Sequence, residues 1–581
     1  MSDGKPGERR ARSIAEGDAQ DDAAEVVRVP SPFETFAAWL GPPRGYSLTR
    51  FVILRLLGVV YVFAFLGIAM QGPALLGSHG LTPAASYLDQ LRAAGQTFWD
   101  VPTIFFASSS DAMLQACAYI GLAIAIAVAI GYANLPMLAV LWILYGSFER
   151  IGQIWWGFGW EIQLLETGLL AALLAHPWDP RPFAARPPPT TAIVLMRWLA
   201  FRIMLGAGLI KWRGDGCWRA LTCLDGHFET QPIPNPLSPW FHHLPHTAHA
   251  IGVVFNHVVE LVAPWFVFGP RKLRVIAGCM MAAFQGVLIL SGNLAFLNWL
   301  TLVPVLACFD DDALLAILPR RLRVRVAARL PARPPRNVHE LAAAFGVGVV
   351  AILIWEPVTG WAGAPAQAVL AIGLAIAACI VWRKRDLHQL AIGVLAALVA
   401  IKSVPVIENL AGSHQAMNRN YDRLAIVNTY GAFGSVGMER YELVIEGTQD
   451  ADPDRATWRE YELPCKPGDV DRRPCLLGPY HLRLDWLIWF AAMDPRPRDP
   501  WVIHLVWKLL DADPTIRTLI AVDPFDGAAP KWIRIRRFRY QLAPSDSSAW
   551  WIRSDEQPWL EPVSKSTPGF GEMLSEYGWS N

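Results

Sequence analysis

Between Phe51 and Val406 the chain returns repeatedly to apolar stretches of about the length a helix needs to cross roughly 30 Å of hydrocarbon. This recurrence constrains the fold more than any other feature. Roughly eleven such stretches lie near residues 51–70, 112–130, 134–148, 161–176, 191–210, 251–268, 275–291, 294–309, 341–356, 366–382 and 389–406. Composition agrees: with 53% hydrophobic residues, 17% charged residues and 26 Trp, the chain is too apolar for an ordinary soluble multidomain protein. The 51 basic and 50 acidic side chains nearly cancel, so no nucleic-acid partner is expected.

The charges are unevenly placed, and their placement orients the chain. Loops left in the cytoplasm carry an excess of Lys and Arg. Residues 1–45 begin small, polar and of mixed charge, too poor in apolar surface to offset ordering entropy, and read as a disordered cytoplasmic tail. No apolar stretch of signal-peptide type follows them directly, so the first apolar helix should insert and stay. With that tail inside, four basic clusters also fall inside: Arg181 with Arg186; Arg271, Lys272 and Arg274; Arg320, Arg321, Arg323, Arg325 and Arg329; and Arg383, Lys384 and Arg385. The connection at 211–250 is the one outer loop that breaks the rule. An odd number of crossings places everything after about Val406 outside.

Beyond that point the texture changes. Short runs of β type occur at 424–436, 440–447, 481–490 and 531–542, with the clearest alternation in the last, where Trp532, Arg534, Arg536, Phe538 and Tyr540 share a face. Residues 501–520 carry helical spacing and a turn at Asp511–Pro514. The expected organisation is a tail (1–45), a transmembrane helical domain (46–410) with its outer loop (211–250), an extracytoplasmic α+β domain (411–560) docked as a cap, and a C-terminal tail (561–581). The fold class is a polytopic α-helical membrane protein with a C-terminal soluble α+β domain.

Four of the eight cysteines, Cys217, Cys223, Cys465 and Cys475, fall in segments placed outside, where disulfides form. Local bridges Cys217–Cys223 and Cys465–Cys475 are candidates beside other pairings and beside four reduced, buried thiols. Neither pair has Cys-x-x-Cys spacing. Cys117, Cys279, Cys308 and Cys379 sit in apolar helices as packing residues.

Charged groups at membrane depth are costly unless paired or hydrated. Glu161 and Glu166, Arg197 and Arg202, and Glu260 with Asn256 and His257 beside it stand at such depths. Counting 1.5 Å per residue puts Arg202 and Glu260 near the midplane, as a candidate pair, and puts Glu166 level with His257 nearer the outer side. Their role is either to fix helix register or to serve function. Lys211, at the outer end of its helix, reads either as a snorkelling or carbonyl-capping side chain or as a base desolvated against Trp212 and Trp218. His242, His246 and His249 lie close in sequence, but Pro245 interrupts a regular helix; interfacial packing is the default and no metal site is expected. Nucleotide-loop, metalloprotease and hydrolase motifs are absent, and no cofactor is expected.

The stretch "GLIKWRGDGCWRALTCLDGHFETQPIPNPLSPWFHHLP" resembles the lipase maturation factor family, as do "RLAIVNTYGAFGSV", "ERYELVIEGT", "WREYELPCKPGDVDRRPC", "PYHLRLDWLIWFAA" and "LVWKLL" in the same order. The resemblance implies a membrane protein that assists the folding of secreted lipases in a chaperone-like way, in the endoplasmic reticulum of animals and, given the bacterial residue usage here, in a bacterial inner membrane. It carries to Lys211, Arg213, Gly214, Cys217, Trp218, Gln231, Pro232, Asn235, Pro236, His243 and Pro245 in the loop. In the distal domain it carries to Asn428, Tyr430, Gly431, Phe433, Gly434, Tyr480, Arg483, Asp485 and Trp486. A fainter likeness, over residues 50–310, is to the membrane domain of vitamin K-dependent gamma-carboxylases, where Lys211 would stand at the position of a catalytic base.

The expected function is thus a non-enzymatic maturation factor in the bilayer whose partner is a secreted client, such as a lipase. Arg213, Asp215, Trp218, Gln231, Asn235, Trp240 and His243 would form the loop that meets it, with Trp240 and Phe241 as exposed aromatics. A carboxylase-like membrane enzyme using Lys211 is the alternative, and a transporter, resting on the buried charges alone, is the third.

Overall fold

The computed structural model describes residues 45–331 and 387–579. The expected tail, the stretches 341–356 and 366–382, the basic cluster at 383–385 and Cys379 lie outside the described residues. The apolar segments form α1 (Ser47–Leu76), α2 (Asp111–Ile130), α3 (Leu135–Ile151), α4 (Gly159–Leu174), α5 (Thr190–Arg213), α6 (His246–His257), α7 (Arg271–Ser291), α8 (Leu297–Val305) and α9 (Leu387–Ala411). Five described helices are long and apolar enough to cross a membrane: α1, α2, α5, the run His246–Phe268 and α7.

Local chemistry sets the ends. Ser110 caps α2 by accepting from the Met113 amide at 3.3 Å, and Asn134 caps α3 by accepting from that of Met137 at 3.0 Å. Small residues set the packing. Gly58 of α1 lies against the backbone of Val128 and Ala129 in α2, and Gly121 of α2 lies against the Phe65 ring, so neither position has room for a methyl group.

The run from His246 is not one regular helix. After His257 it widens into a π turn at Val258–Val262 and ends in the 3₁₀ turn Ala263–Phe268, where Pro264 removes a backbone donor. Glu260 sits inside the π turn, which re-aims its side chain toward α5.

After α9 the chain does not form the strand expected at 424–436. Residues 412–437 run irregularly, with Asn428 and Tyr430 set against the middle of α4 and α5 and one isolated bridge between Asn420 and Asn428. A four-stranded antiparallel sheet follows, in the order β2-β1-β3-β4, built from β1 (Arg440–Thr448), β2 (Arg459–Tyr461), β3 (Trp532–Leu542) and β4 (Trp551–Val563). Ile533, Ile535 and Arg537 of β3 are buried on one face. On the other face Phe538, Tyr540 and Leu542 form a second small core with Val444 and Trp551. The 481–490 run, read as a strand, is the helix α10 (Arg483–Met493); α11 (Pro500–Leu510) agrees with the helical spacing seen in the sequence. Residues 561–579 are not a separate tail: β4 continues to Val563, and α12 (Phe570–Glu576) sets Phe570 against Trp507 at 5.3 Å.

Among the described residues, Cys217–Cys223 and Cys465–Cys475 form disulfides, while Cys117, Cys279 and Cys308 are free thiols.

Candidate functional site

Two ionic clusters join the helices to the segments that follow α9, and a third joins two of the helices to one another. In the first, Arg202 of α5 donates to the Asn428 carbonyl at 2.8 Å and to Glu166 of α4. Glu166 also accepts from the Asn428 amide and side chain, both at 3.1 Å, and from the Tyr430 hydroxyl at 2.6 Å. In the second, Glu161 accepts from Arg483 at 2.9 Å and from Tyr145. The Arg483 guanidinium also donates to the Trp155 carbonyl and lies 3.8 Å from the centre of the Trp156 ring. In the third, Lys211 donates to both Glu260 oxygens at 2.7 and 2.8 Å and to Asn256 at 2.9 Å.

These partners correct the pairing read from depth. Arg202 meets Glu166, and Glu260 meets Lys211. His257 bonds the Trp218 carbonyl at 3.1 Å and joins neither pair. Counting residues along a helix gives a level in the bilayer but not the side on which a group emerges, and the π turn changes that side for Glu260. Arg197 donates to the Ala307 carbonyl at 2.8 Å and to the Tyr46 hydroxyl at 2.8 Å.

Most loop residues expected to meet a client are committed to the fold. Trp218 donates to the Phe433 carbonyl at 2.9 Å, and Arg213 to Gln415 and the Leu410 carbonyl at 3.0 and 2.8 Å. Asp215 caps the short helix Gly216–Ala220 through the Cys217 amide. Gln231 donates to the Ser291 carbonyl at 2.8 Å, and Asn235 to that of Leu290 at 3.0 Å. Trp240 and His243 are exposed, whereas Phe241 is half-buried on Phe228. His246 and His249 both face Asp225, at 3.0 and 2.8 Å.

The distal residues singled out by resemblance are joints as well. Tyr480 receives a hydrogen bond from Gln71 at 3.0 Å, and Gln71 also accepts from the Arg483 amide at 2.9 Å. Trp486 stacks edge-on against Trp160 at 5.2 Å, and Phe433 against His227 at 4.8 Å. Asp485 accepts from the amides of Cys465 and Lys466 at 2.7 and 2.8 Å. Arg440, which the sequence did not single out, clamps the 211–250 loop to the sheet: it donates to the carbonyls of Glu229, Gln231 and Pro232 and to Glu442.

Between α4, α5, α7, α8 and α10 lies a cavity of about 700 Å³, within the range of about 300–1,000 Å³ common for small-molecule sites. Its wall is mainly apolar and aromatic, with Trp160, Phe284, Leu297, Trp486 and Phe490 among its residues, and the Lys211–Glu260 pair lies on it. Nothing in the sequence signalled this volume.

Titration outside the helices has a sign. Burial pushes the His504 imidazole of α11 down to about 4, although its bond to the Leu81 carbonyl opposes this. Burial also takes His227 and His242 down to about 4, aided by the charge of Lys211 for His227 and by His243 and His249 for His242. Depressed histidines contribute stability that is present above about pH 6.5 and lost as pH falls toward 4. Burial raises Asp485 to about 6, which works the other way over pH 4–6. His481, lowered by burial, acts with these histidines, and Glu229 and Asp499, raised by burial, act with Asp485; the histidines dominate over pH 7–5 because their unfolded-state protonation falls in that window, so thermal unfolding in detergent should move to lower temperature between pH 7 and pH 5. His504→Asn, which keeps a donor for Leu81, should shrink that shift; an unchanged shift would remove His504 as a contributor.

Helices able to span a bilayer, a sheet domain docked on their ends and an internal apolar cavity define a membrane protein with a soluble C-terminal domain. The chain belongs to the lipase maturation factor family: the model of the lipase maturation factor transmembrane domain matches residues 48–316, and that of the C-terminal domain matches residues 426–560. It is 43% identical to lipase maturation factor 1 of Bos taurus over 90% of each chain. Identity to lipase maturation factor 1 of Mus musculus is 42%, over 89% of this chain and 87% of that one. To lipase maturation factor 2 of Mus musculus it is 30%, over 91% and 84%. No solved structure matches the chain.

Proposed function

We propose that this protein is a maturation factor that assists secreted clients such as lipases on the extracytoplasmic side of a membrane, a bacterial inner membrane in this case. The observation that carries the reading is similarity to lipase maturation factor 1 along both the helical and the C-terminal parts, over 90% of each chain. Roughly eleven crossings, a cytoplasmic N-terminus and an outer cap are part of the proposal. Charge placement supports it: Arg271, Lys272 and Arg274 begin α7, whose other end, at Ser291, is next to the loop that bonds the cap. The two disulfides favour an oxidising compartment. No cofactor enters the reading, and Trp240 and His243 remain as exposed loop groups for client contact.

Coexpression with a secreted lipase tests this. Lipase activity should rise severalfold at constant lipase abundance, and unchanged activity would defeat the reading. A periplasm-dependent reporter fused after Asn581 should be active.

The enzyme alternative rests on Lys211 at the cavity wall. Its Nζ donates to both Glu260 oxygens and to Asn256, partners that an arginine could also serve. Lys211→Arg is therefore expected to keep most client activation, because charge and donors persist. Full loss with an intact fold would restore the base reading.

A further inference from the structure

The cavity has polar chemistry that the maturation role does not use. Gln163, Gln285 and Asn298 line it, and each is more than nine-tenths buried, at 1%, 4% and 4% exposure. Asn298 has no hydrogen-bond partner in the protein among the described residues. Gln163 uses only its amide nitrogen, donating to Thr301 at 3.1 Å, and Gln285 meets only the Met204 sulfur, at 3.7 Å. Their unpartnered amide atoms are not sealed in the protein but open onto the cavity, where water or a ligand supplies the missing hydrogen bonds.

The charges on the wall are already matched. Lys211 and Glu260 neutralise one another, and Asp215 is held by backbone amides. A charged ligand would have to break the pair or stand unpaired in an apolar site. Along α5 the lining runs from Ile203 to Gly214, roughly 16 Å at 1.5 Å per residue, so the cavity has length as well as volume. Met417, Phe490 and Met493 line it and are exposed, which places its mouth beside the cap.

We infer that this cavity binds an uncharged single-chain lipid of the monoacylglycerol type, with its hydrocarbon chain against Ile203, Phe284 and Leu288 and its hydroxyl and ester groups against Gln163, Gln285 and Asn298. The hydroxyls donate to the amide oxygens and the carbonyl accepts from the amide nitrogens. The inference is independent of client activation.

The full-length protein in phospholipid nanodiscs is to be photolabelled with a monoacylglycerol carrying a diazirine in its chain. Label should fall on peptides containing Ile203 and Phe284. Unlabelled monoacylglycerol should displace it, while a fatty acid of the same length and a single-chain phosphatidylglycerol should not. Asn298→Leu should lower site labelling by about tenfold, as expected for lost hydrogen bonds to a buried group. Ala207→Phe, which fills the cavity, should abolish it. Label confined to lipid-facing surfaces, equal displacement by the charged lipids, or wild-type labelling of Ala207→Phe would each overturn the inference. If Asn298→Leu fails to fold, the Ala207→Phe result and the displacement series decide.

Discussion

Arg483→Met is expected to destabilise the protein by roughly 3–5 kcal/mol, because removing one partner of a buried pair leaves the other charge uncompensated. The geometry supports a value in this range. Arg483 and Glu161 are 1% and 0% exposed, and the guanidinium also satisfies the Trp155 carbonyl and covers Trp156. Since Arg483 begins α10, the damage should appear as release of the cap. Limited proteolysis of the detergent-solubilised protein should cleave the region after residue 411 at temperatures where the wild type resists. Glu161→Gln added to Arg483→Met should recover part of the loss, since the stranded carboxylate is then neutral. Simple additivity of the two changes would mean that the pair does not couple.

Glu166→Gln should have an effect of similar size with a different signature. Its carboxylate holds Arg202, the Asn428 amide, the Asn428 side chain and the Tyr430 hydroxyl together. Neutralising it strands the Arg202 guanidinium, 1% exposed, in the helix bundle. The expected outcome is a loss of roughly 3–5 kcal/mol, with early proteolysis at 412–437 rather than in the sheet. Arg202→Met in the same chain should restore part of the melting temperature. No change on Glu166→Gln alone would show that the carboxylate does not hold the segment.

How far the sequence revealed these sites depends on the kind of information each needs. Apolar length located α1 to α9, and charges at membrane depth pointed to Glu161, Glu166, Arg202 and Glu260. Partner choice was not legible, because it depends on which face of each helix meets which neighbour. The π turn at Val258–Val262 shifts that face without any marker in the residues themselves. The run 481–490 misled because a short apolar stretch with aromatics suits a buried strand or a buried helix equally well. The opposite error hid β4, whose sequence WIRSDEQPWLEPV is polar, contains two prolines and lies at a sheet edge. Residues 424–436 look like a strand, yet their polar backbone is bonded in part by helix side chains such as Arg202 and Glu166. The cavity left no trace, since a volume arises only when distant helices pack.

The Glu161–Arg483 joint also bears on how the molecule is made. Glu161 enters the membrane early in translation, while its cationic partner is synthesised 322 residues later. Until then, the Tyr145 hydroxyl and the neighbouring Trp160 are what the preceding chain offers this carboxylate. A chain that stops short of Arg483 therefore carries a buried acid without its cation.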